Sequence, residues 1–582
     1  MGITRFGDRR RRQAATLACA LALLADPALA QPAPPSGLIP PGGTPIPQLA
    51  PATLPAVGPG LATPPAAAPA QGVAGAVPIR AVAIEGATAF AEDRIRAEAG
   101  PLTGPAVPVQ AIENARAAIV SLYRGAGYAF VTADAVVGAD GTLRLRVAEG
   151  TVTEVRLDGD IGPAGTQVLR FLNRLVNGRP LDVASLERQL LLAGDVPGVT
   201  VRGVLRPTGT APGALTLVAQ VSRAAISGYV TADNRGPRYA GPEQGLAAVQ
   251  FNSFTELGER TELAFFIARD ATQLFGQAST EFFVGGDGLR VRLYAGRGRA
   301  EPSGVLERLG YEGDTTTAGL SVSYPLIRRR QGTLNLSGAF DVLETEIRLD
   351  DAAGRSQRFS RDSLRVVRLG AEWTTYDLLL GEDRPASNLV TVRLSQGLDA
   401  FGADANGATP GRAGADTAFT KIAAEATRTQ ALFSPWDGAL LSLQGTIAGQ
   451  WTNDVLPLAE KFYLGGNRLG RGFYVGEVTG DRALAGSLEL QLSQRFETAA
   501  LGVPLRLEPT LYAFYDAGRT WENLSSDPDR RLQSYGLGLR TTINDRFEAL
   551  VEGVHRVTRR PGGANVPAQD ANAVFWRVLA RF

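Results

Sequence analysis

The sequence predicts a mainly β protein: a 16-stranded antiparallel transmembrane β-barrel preceded by two small α+β domains. Three observations lead there. From about residue 224 to the end, polar and apolar residues alternate in segments of roughly ten, one face polar and the other apolar. From about 78 to 223, strand and helix signals alternate twice. The N-terminus has the features of a secretory leader, and beyond it no run of roughly 18 apolar residues offers a membrane-spanning helix.

In chain order, Arg5 and Arg9-Arg10-Arg11-Arg12 form a basic start, Ala14 to Ala25 an apolar core and Ala28-Leu29-Ala30 a small-x-small cleavage site. Residues 1–30 are expected to be a signal peptide. They hold the one cysteine, Cys19, and the one methionine, so the mature chain is expected to have neither disulfides nor thiolate metal sites. Residues 31–77 are a Pro/Ala-rich linker with no helical pattern.

Composition excludes several functions. The formal net charge is +1, which gives no electrostatic footprint for nucleic acid. A single histidine, His555, cannot build an H-E-x-x-H zinc site, and neither a Walker loop nor a G-x-S-x-G elbow occurs. No catalytic residue, metal or cofactor is expected, and His555 reads as a lumen or interface residue.

The first α+β unit, 78–150, begins with a strand over Ile79–Ile84. A helix follows from Val109 to Arg124, with Ile112, Ala115, Ile119, Val120 and Tyr123 on one face. Gly125-Ala126-Gly127 stops it before strands over Tyr128–Val137 and Leu143–Val147. The second unit, 151–223, runs from Val152–Leu157 through helices near Val168–Leu175 and Leu186–Leu192 to strands near Val199–Leu205 and Ala214–Val221. Each is a β-α-α-β-β module. Ile84-Glu85-Gly86 with Phe90, Gly127-Tyr128, and Asp140-Gly141-Thr142-Leu143 leading into Glu149-Gly150 resemble POTRA domains, the periplasmic modules of outer-membrane secretion and assembly barrels. In the second unit Arg206-Pro207 and Gly213 are similar too.

The C-terminal region, 224–582, contains sixteen candidate strands, near 226, 243, 260, 278, 288, 315, 331, 363, 387, 418, 438, 483, 505, 533, 545 and 573. In Thr333–Val342, Leu334, Leu336, Phe340 and Val342 face away from Asn335, Ser337 and Asp341. In Leu484–Phe496, Ser487, Glu489 and Gln491 oppose Leu488, Leu490 and Leu492. Tight turns such as Gly286-Asp287 and Asn544-Asp545 alternate with long loops at 344–362, 398–417, 452–482, 519–532 and 558–572, each following an odd-numbered strand. That places the long loops outside and the short turns on the side of the α+β units. Strand one, Ile226–Asn234, and the last strand are long enough to close the sheet without a weak seam. The chain ends with Trp576, Val578, Ala580 and Phe582 on one face.

Within the 452–482 loop lies Gly465-Gly466-Asn467-Arg468-Leu469-Gly470-Arg471-Gly472-Phe473; strand Leu505–Gly518 carries Phe514-Tyr515-Asp516-Ala517-Gly518. Period-two parity puts Phe514, Asp516 and Gly518 on the water-facing side. Both stretches, with Glu460-Lys461-Phe462-Tyr463-Leu464, resemble the two-partner secretion transporters of the Gram-negative outer membrane, named for haemolysin and filamentous haemagglutinin export. Gly470 departs from that pattern, where relatives commonly carry Val.

The resemblance implies that Arg471, in an R-G-F tip with Gly472 and Phe473, meets Asp516 inside the barrel, with Phe514 and Gly518 beside it. It implies a protein-conducting pore and no enzyme. Its partners would be a large secreted exoprotein, outer-membrane lipids and, during biogenesis, the barrel-assembly machinery. Contacts to an unfolded exoprotein are expected along Tyr128–Val137, at Tyr128, Phe130 and Thr132, by strand addition to a sheet edge, or around the helices of the second unit. A barrel-assembly factor of the same superfamily is the alternative; a passive solute porin is a third reading, which leaves two POTRA-like units and the R-G-F loop without a purpose.

Overall fold

A computed structural model describes residues 75–582, except 210, 239, 305, 405–410, 501, 502 and 565. The expected signal peptide and most of the 31–77 linker lie outside the described residues.

The first unit runs β1 (Ala76–Ile79), β2 (Ala81–Glu85), α1 (Glu92–Ala99), β3 (Gly104–Pro108), α2 (Val109–Gly125), β4 (Thr132–Val137) and β5 (Thr142–Ala148). The strand expected over Ile79–Ile84 is therefore two: β1 pairs with β3, and β2 lies parallel to β5. The main sheet has the order β2-β5-β4, leaving β4 as a free edge. One face of α2 supplies Ile112, Ala115, Ile119 and Tyr123 to a core with Ile95, Leu143 and Leu145. Glu149 ties the unit shut: its carboxylate accepts from the Thr88 and Ala89 N–H groups (2.7 and 2.8 Å), the Thr88 hydroxyl and the Tyr123 hydroxyl (2.7 Å). Burial opposes ionisation of Glu149, but these donors outweigh it and hold the carboxyl below the usual carboxylate range.

The second unit is β6 (Thr151–Asp158), α3 (Ala164–Leu172), α4 (Val183–Gly194), β7 (Val199–Pro207) and β8 (Ala214–Arg223), with sheet order β6-β8-β7. Asp182 caps α4, accepting from the Ser185 N–H at 2.7 Å. The units are joined by more than the chain. Phe130 packs on the second core, and a Cβ at Gly150 would lie 2.6 Å from it, so only glycine fits there. Val183 N–H donates to the Gly127 carbonyl at 3.0 Å.

The barrel follows as β9 (Ile226–Asp233), β10 (Gln244–Asn252), β11 (Arg260–Ala268), β12 (Gln273–Val284), β13 (Leu289–Ala300), β14 (Glu312–Arg329), β15 (Gly332–Asp350), β16 (Ser356–Asp377), β17 (Ala386–Gly397), β18 (Thr420–Phe433) and β19 (Ala439–Thr452). After β20 (Phe462–Leu464) and β21 (Val478–Gly480) in the long loop come β22 (Arg482–Gln494), β23 (Phe496–Ala500), β24 (Val503–Trp521), β25 (Arg530–Ile543), β26 (Phe547–Arg556) and β27 (Asn572–Arg581). β22 and β23 both pair with β24 and act as one strand, so the closed antiparallel barrel has 16 staves. Parity sorts the side chains: Leu511 and Tyr515 point out, while Tyr512, Phe514 and Asp516 are buried inside.

Three expectations change. The segment 344–362 is no long loop: β15 runs to Asp350 and β16 restarts at Ser356. The face that carries Leu334, Leu336 and Phe340 lower in β15 turns polar in this extension, with Glu344 held by Arg361 and Arg365, while Ile347 and Leu349 take the other face, so no lipid-facing stripe marks it. The same holds in part at 519–532, where the loop shrinks to 522–529. The closing seam is also the shortest ladder, β9 and β27 sharing five residue pairs where every other neighbouring pair of staves shares eight or more. Asn234 extends it with its side chain, donating to Val574 O (3.0 Å) and accepting from Trp576 N–H (2.8 Å).

The second unit sits on the short-turn end. Gln167 donates to Gly285 O (2.9 Å), Ser253 to Pro197 O (2.8 Å), and Arg328 forks onto Asp195 at 2.9 and 2.7 Å.

Candidate functional site

The loop between β19 and β22 folds back into the barrel as a hairpin, β20 pairing with β21. Its inner face is apolar: Leu464, Leu469, Phe473 and Val478 cluster with Ala448, Ala485 and Leu532 of the wall. Gly518 makes room for this leg, since a Cβ there would lie 2.5 Å from Leu464. Gly470 lies at φ +76°, where a Cβ would also press on Leu532 at 2.8 Å. The departure from Val at this position thus belongs to a tight left-handed turn that glycine accommodates.

The tip places Arg471 on Asp516. The Arg471 backbone N–H and Nε donate to Asp516 Oδ2 (2.7 and 3.1 Å), and Nη2 donates to Oδ1 at 2.9 Å. The remaining guanidinium edge reaches Glu489 and the Ser487 hydroxyl, the latter at 2.8 Å. Phe514 lies under the guanidinium, 3.8 Å from its centre. Arg471 is 6% exposed and Asp516 0%. A planar fork with donors on several edges is what this site requires; an ammonium is a point charge and cannot serve it.

Gly472 and Phe473 finish the tip. Gly472 N–H donates to Ser534 Oγ (3.1 Å), and its carbonyl accepts from Arg556 Nε (2.6 Å). A Cβ at Gly472 would lie 2.4 Å from Ser534 Cβ. Phe473 is fully buried, and its N–H closes a turn to Gly470 O at 3.0 Å.

Other groups around the loop escaped sequence reasoning. Glu489, Ser487 and Ser534 are lumen-facing polar residues on staves, a parity signal that gives a face but no partner. Glu460 sits on Arg368 and Lys421 of the wall. Arg412, in the 398–419 connection, holds Asp481 at 2.6 Å and Glu522 at 2.8 Å. Arg235 meets Glu552, which also accepts from Tyr512 at 2.6 Å.

Of the residues singled out for partner contact, Tyr128 packs on the rings of Phe90 and Tyr123. Phe130 fills the joint between units, and Thr132 is exposed at the start of β4. The strand expected from Tyr128 begins only at Thr132. His555 lies on the outer face, beside the Tyr535 ring and within 2.8 Å of Asn572 Oδ1.

Comparison with known proteins adds to this geometry. Residues 77–150 match the POTRA domain, ShlB-type. The heme/hemopexin transporter protein HuxB of Haemophilus influenzae (strain 86-028NP) is 25% identical over 244 residues, 41% of this chain and 43% of that protein. The chain therefore aligns with less than half the length of this relative. Among solved structures, CdiB from Escherichia coli superposes with a TM-score of 0.67 at 19% identity, covering 100% of both chains. CdiB from Acinetobacter baumannii gives 0.58 at 16% identity, covering 87% of this chain and 90% of that one. Both share the fold. Residues 214–541 match the family described as haemolysin secretion/activation protein ShlB/FhaC/HecB, and the chain belongs to this family of two-partner secretion outer-membrane transporters.

Proposed function

We propose that this protein exports one large partner protein across the outer membrane, and that the folded-in loop keeps the pore shut between passages. The observation that carries the reading is the guanidinium of Arg471 seated on Asp516 at the lumen wall, with Glu489 beside it. A solute porin would leave the two POTRA-like units without a purpose.

In this reading residues 1–30 direct secretion, 31–77 form a linker, 78–150 and 151–223 are two POTRA domains in the periplasm, and 224–582 form the barrel. The exoprotein arrives unfolded. It adds a strand to the free edge of β4 from Thr132 onward, where Val136 and Val137 are exposed and main-chain bonds give affinity with little demand on sequence. Tyr128 and Phe130 fix the base of that edge. The chain then enters the barrel as the loop leaves its seat, and folding outside prevents return. Outer-membrane lipids surround the apolar wall, and the barrel-assembly machinery inserts the barrel during biogenesis. No nucleic acid, metal or cofactor takes part.

Removing this protein from its host should leave the exoprotein in the periplasm, and restoring it should return export. Normal export without it would refute the reading. The five-pair seam favours a second reading, a barrel-assembly factor that opens its wall laterally. In that case depletion would lower the amounts of other outer-membrane barrels while the exoprotein still leaves.

A further inference from the structure

The loop brings a second buried charge into the lumen, in a sector of the wall away from Asp516. Glu460 is 2% exposed. It accepts a fork from Arg368 of β16, Nη2 to Oε1 at 2.6 Å and Nη1 to Oε2 at 3.1 Å. Lys421 of β18 reaches Glu460 Oε2 at 2.8 Å and the Glu460 backbone carbonyl at 2.6 Å. Behind them Asp341 of β15 accepts from Arg368 Nε and from the Tyr294 hydroxyl, each at 2.6 Å. Arg368, Lys421 and Asp341 are all under a tenth exposed.

The charges are arranged asymmetrically. Asp341 alone cannot neutralise Arg368 and Lys421, so this part of the wall is an electropositive socket whose anion arrives with the loop. At the other end of the hairpin the wall supplies carboxylates, Asp516 and Glu489, and the loop supplies the cation. Buried charges persist only when paired. Each socket is therefore complete only when the loop sits in one orientation.

We propose that Glu460 is a positioning residue that forms a second ionic lock with Arg368 and Lys421, acting in parallel with Arg471, so that the pore opens fully only when both are released. The proposal rests on the reading of the loop as a plug.

The test is single-channel recording from the full-length mature protein in planar bilayers without exoprotein, with heat-modifiable migration as the check that the barrel has folded. Glu460→Gln should raise the time spent in the large-conductance state about a hundredfold or more, as expected when one partner of a buried charge pair is lost. Glu460→Asp should return most of the closure, and E460Q/R471A should open more than either single change. Wild-type gating in E460Q, with R471A open, would overturn the second lock and leave the plug standing. Wild-type gating in both E460Q and R471A would overturn the plug itself. If E460Q does not fold, Lys421→Met changes the same lock from the wall while the Arg368 fork remains; more frequent opening supports the proposal, and wild-type gating overturns it.

Discussion

Replacing Asp516 by Ala probes the seated tip most directly. Asp516 is fully buried and accepts three bonds from Arg471, one from the backbone and two from the guanidinium. Breaking a buried pair by removing one partner costs about 3–5 kcal/mol. In D516A the guanidinium keeps Glu489, Ser487 and the face of Phe514, so the loss falls at the lower end, about 3 kcal/mol, or about a hundredfold in the seated-to-released ratio of the loop. In R471A both Asp516 and Glu489 stay in the wall without the guanidinium, and only the backbone N–H still reaches Asp516, so the loss nears about 5 kcal/mol. Export should fall in both variants, and open-channel time should rise more in R471A than in D516A. The assay pairs channel recording with exoprotein in the culture fluid, normalised to heat-modifiable barrel. Wild-type gating and export in D516A would refute the argument, as would an R471A phenotype milder than that of D516A.

Two further changes test the packing and the first unit. Gly472→Ala drives a Cβ into Ser534 and should unseat the tip by about 1–3 kcal/mol, read as reduced export per folded barrel. Glu149→Gln should loosen the segment around Thr88 and Ala89 by about 1–3 kcal/mol, read as faster amide exchange there. The lowered Glu149 pKa gives the sign: the wild-type contribution is fully present above the ordinary carboxylate range and fades as pH falls through the depressed value, so only the wild type should lose protection in acid.

Much of the barrel was legible because the bilayer imposes one rule on every stave. Leu488, Leu490, Leu511 and Tyr515 must face out, and period two then turns Glu489, Gln491 and Asp516 inward. The rule fails where the bilayer ends. Between 344 and 350 the alternation inverts, Glu344, Glu346 and Arg348 standing on the face that carries Leu334, Leu336 and Phe340 lower in the strand and Ile347 and Leu349 on the other, although the ladder continues. Parity is equally silent about partners. Glu460 and Arg368 lie 92 residues apart, and nothing local in either segment announces the other. In the first unit, Tyr128 and Phe130 carry strand-like side chains, yet tertiary packing against Phe90, Tyr123 and the second unit uses them before β4 starts.

Phe130 closes the joint between the two small units, and Asp195 grips Arg328 where the second unit meets the barrel rim. In the proposed reading, a segment docked along β4 would pull on an arm braced against the mouth of the tube. Tension in a chain drawn outward would then pass through the Arg328–Asp195 fork to the rim.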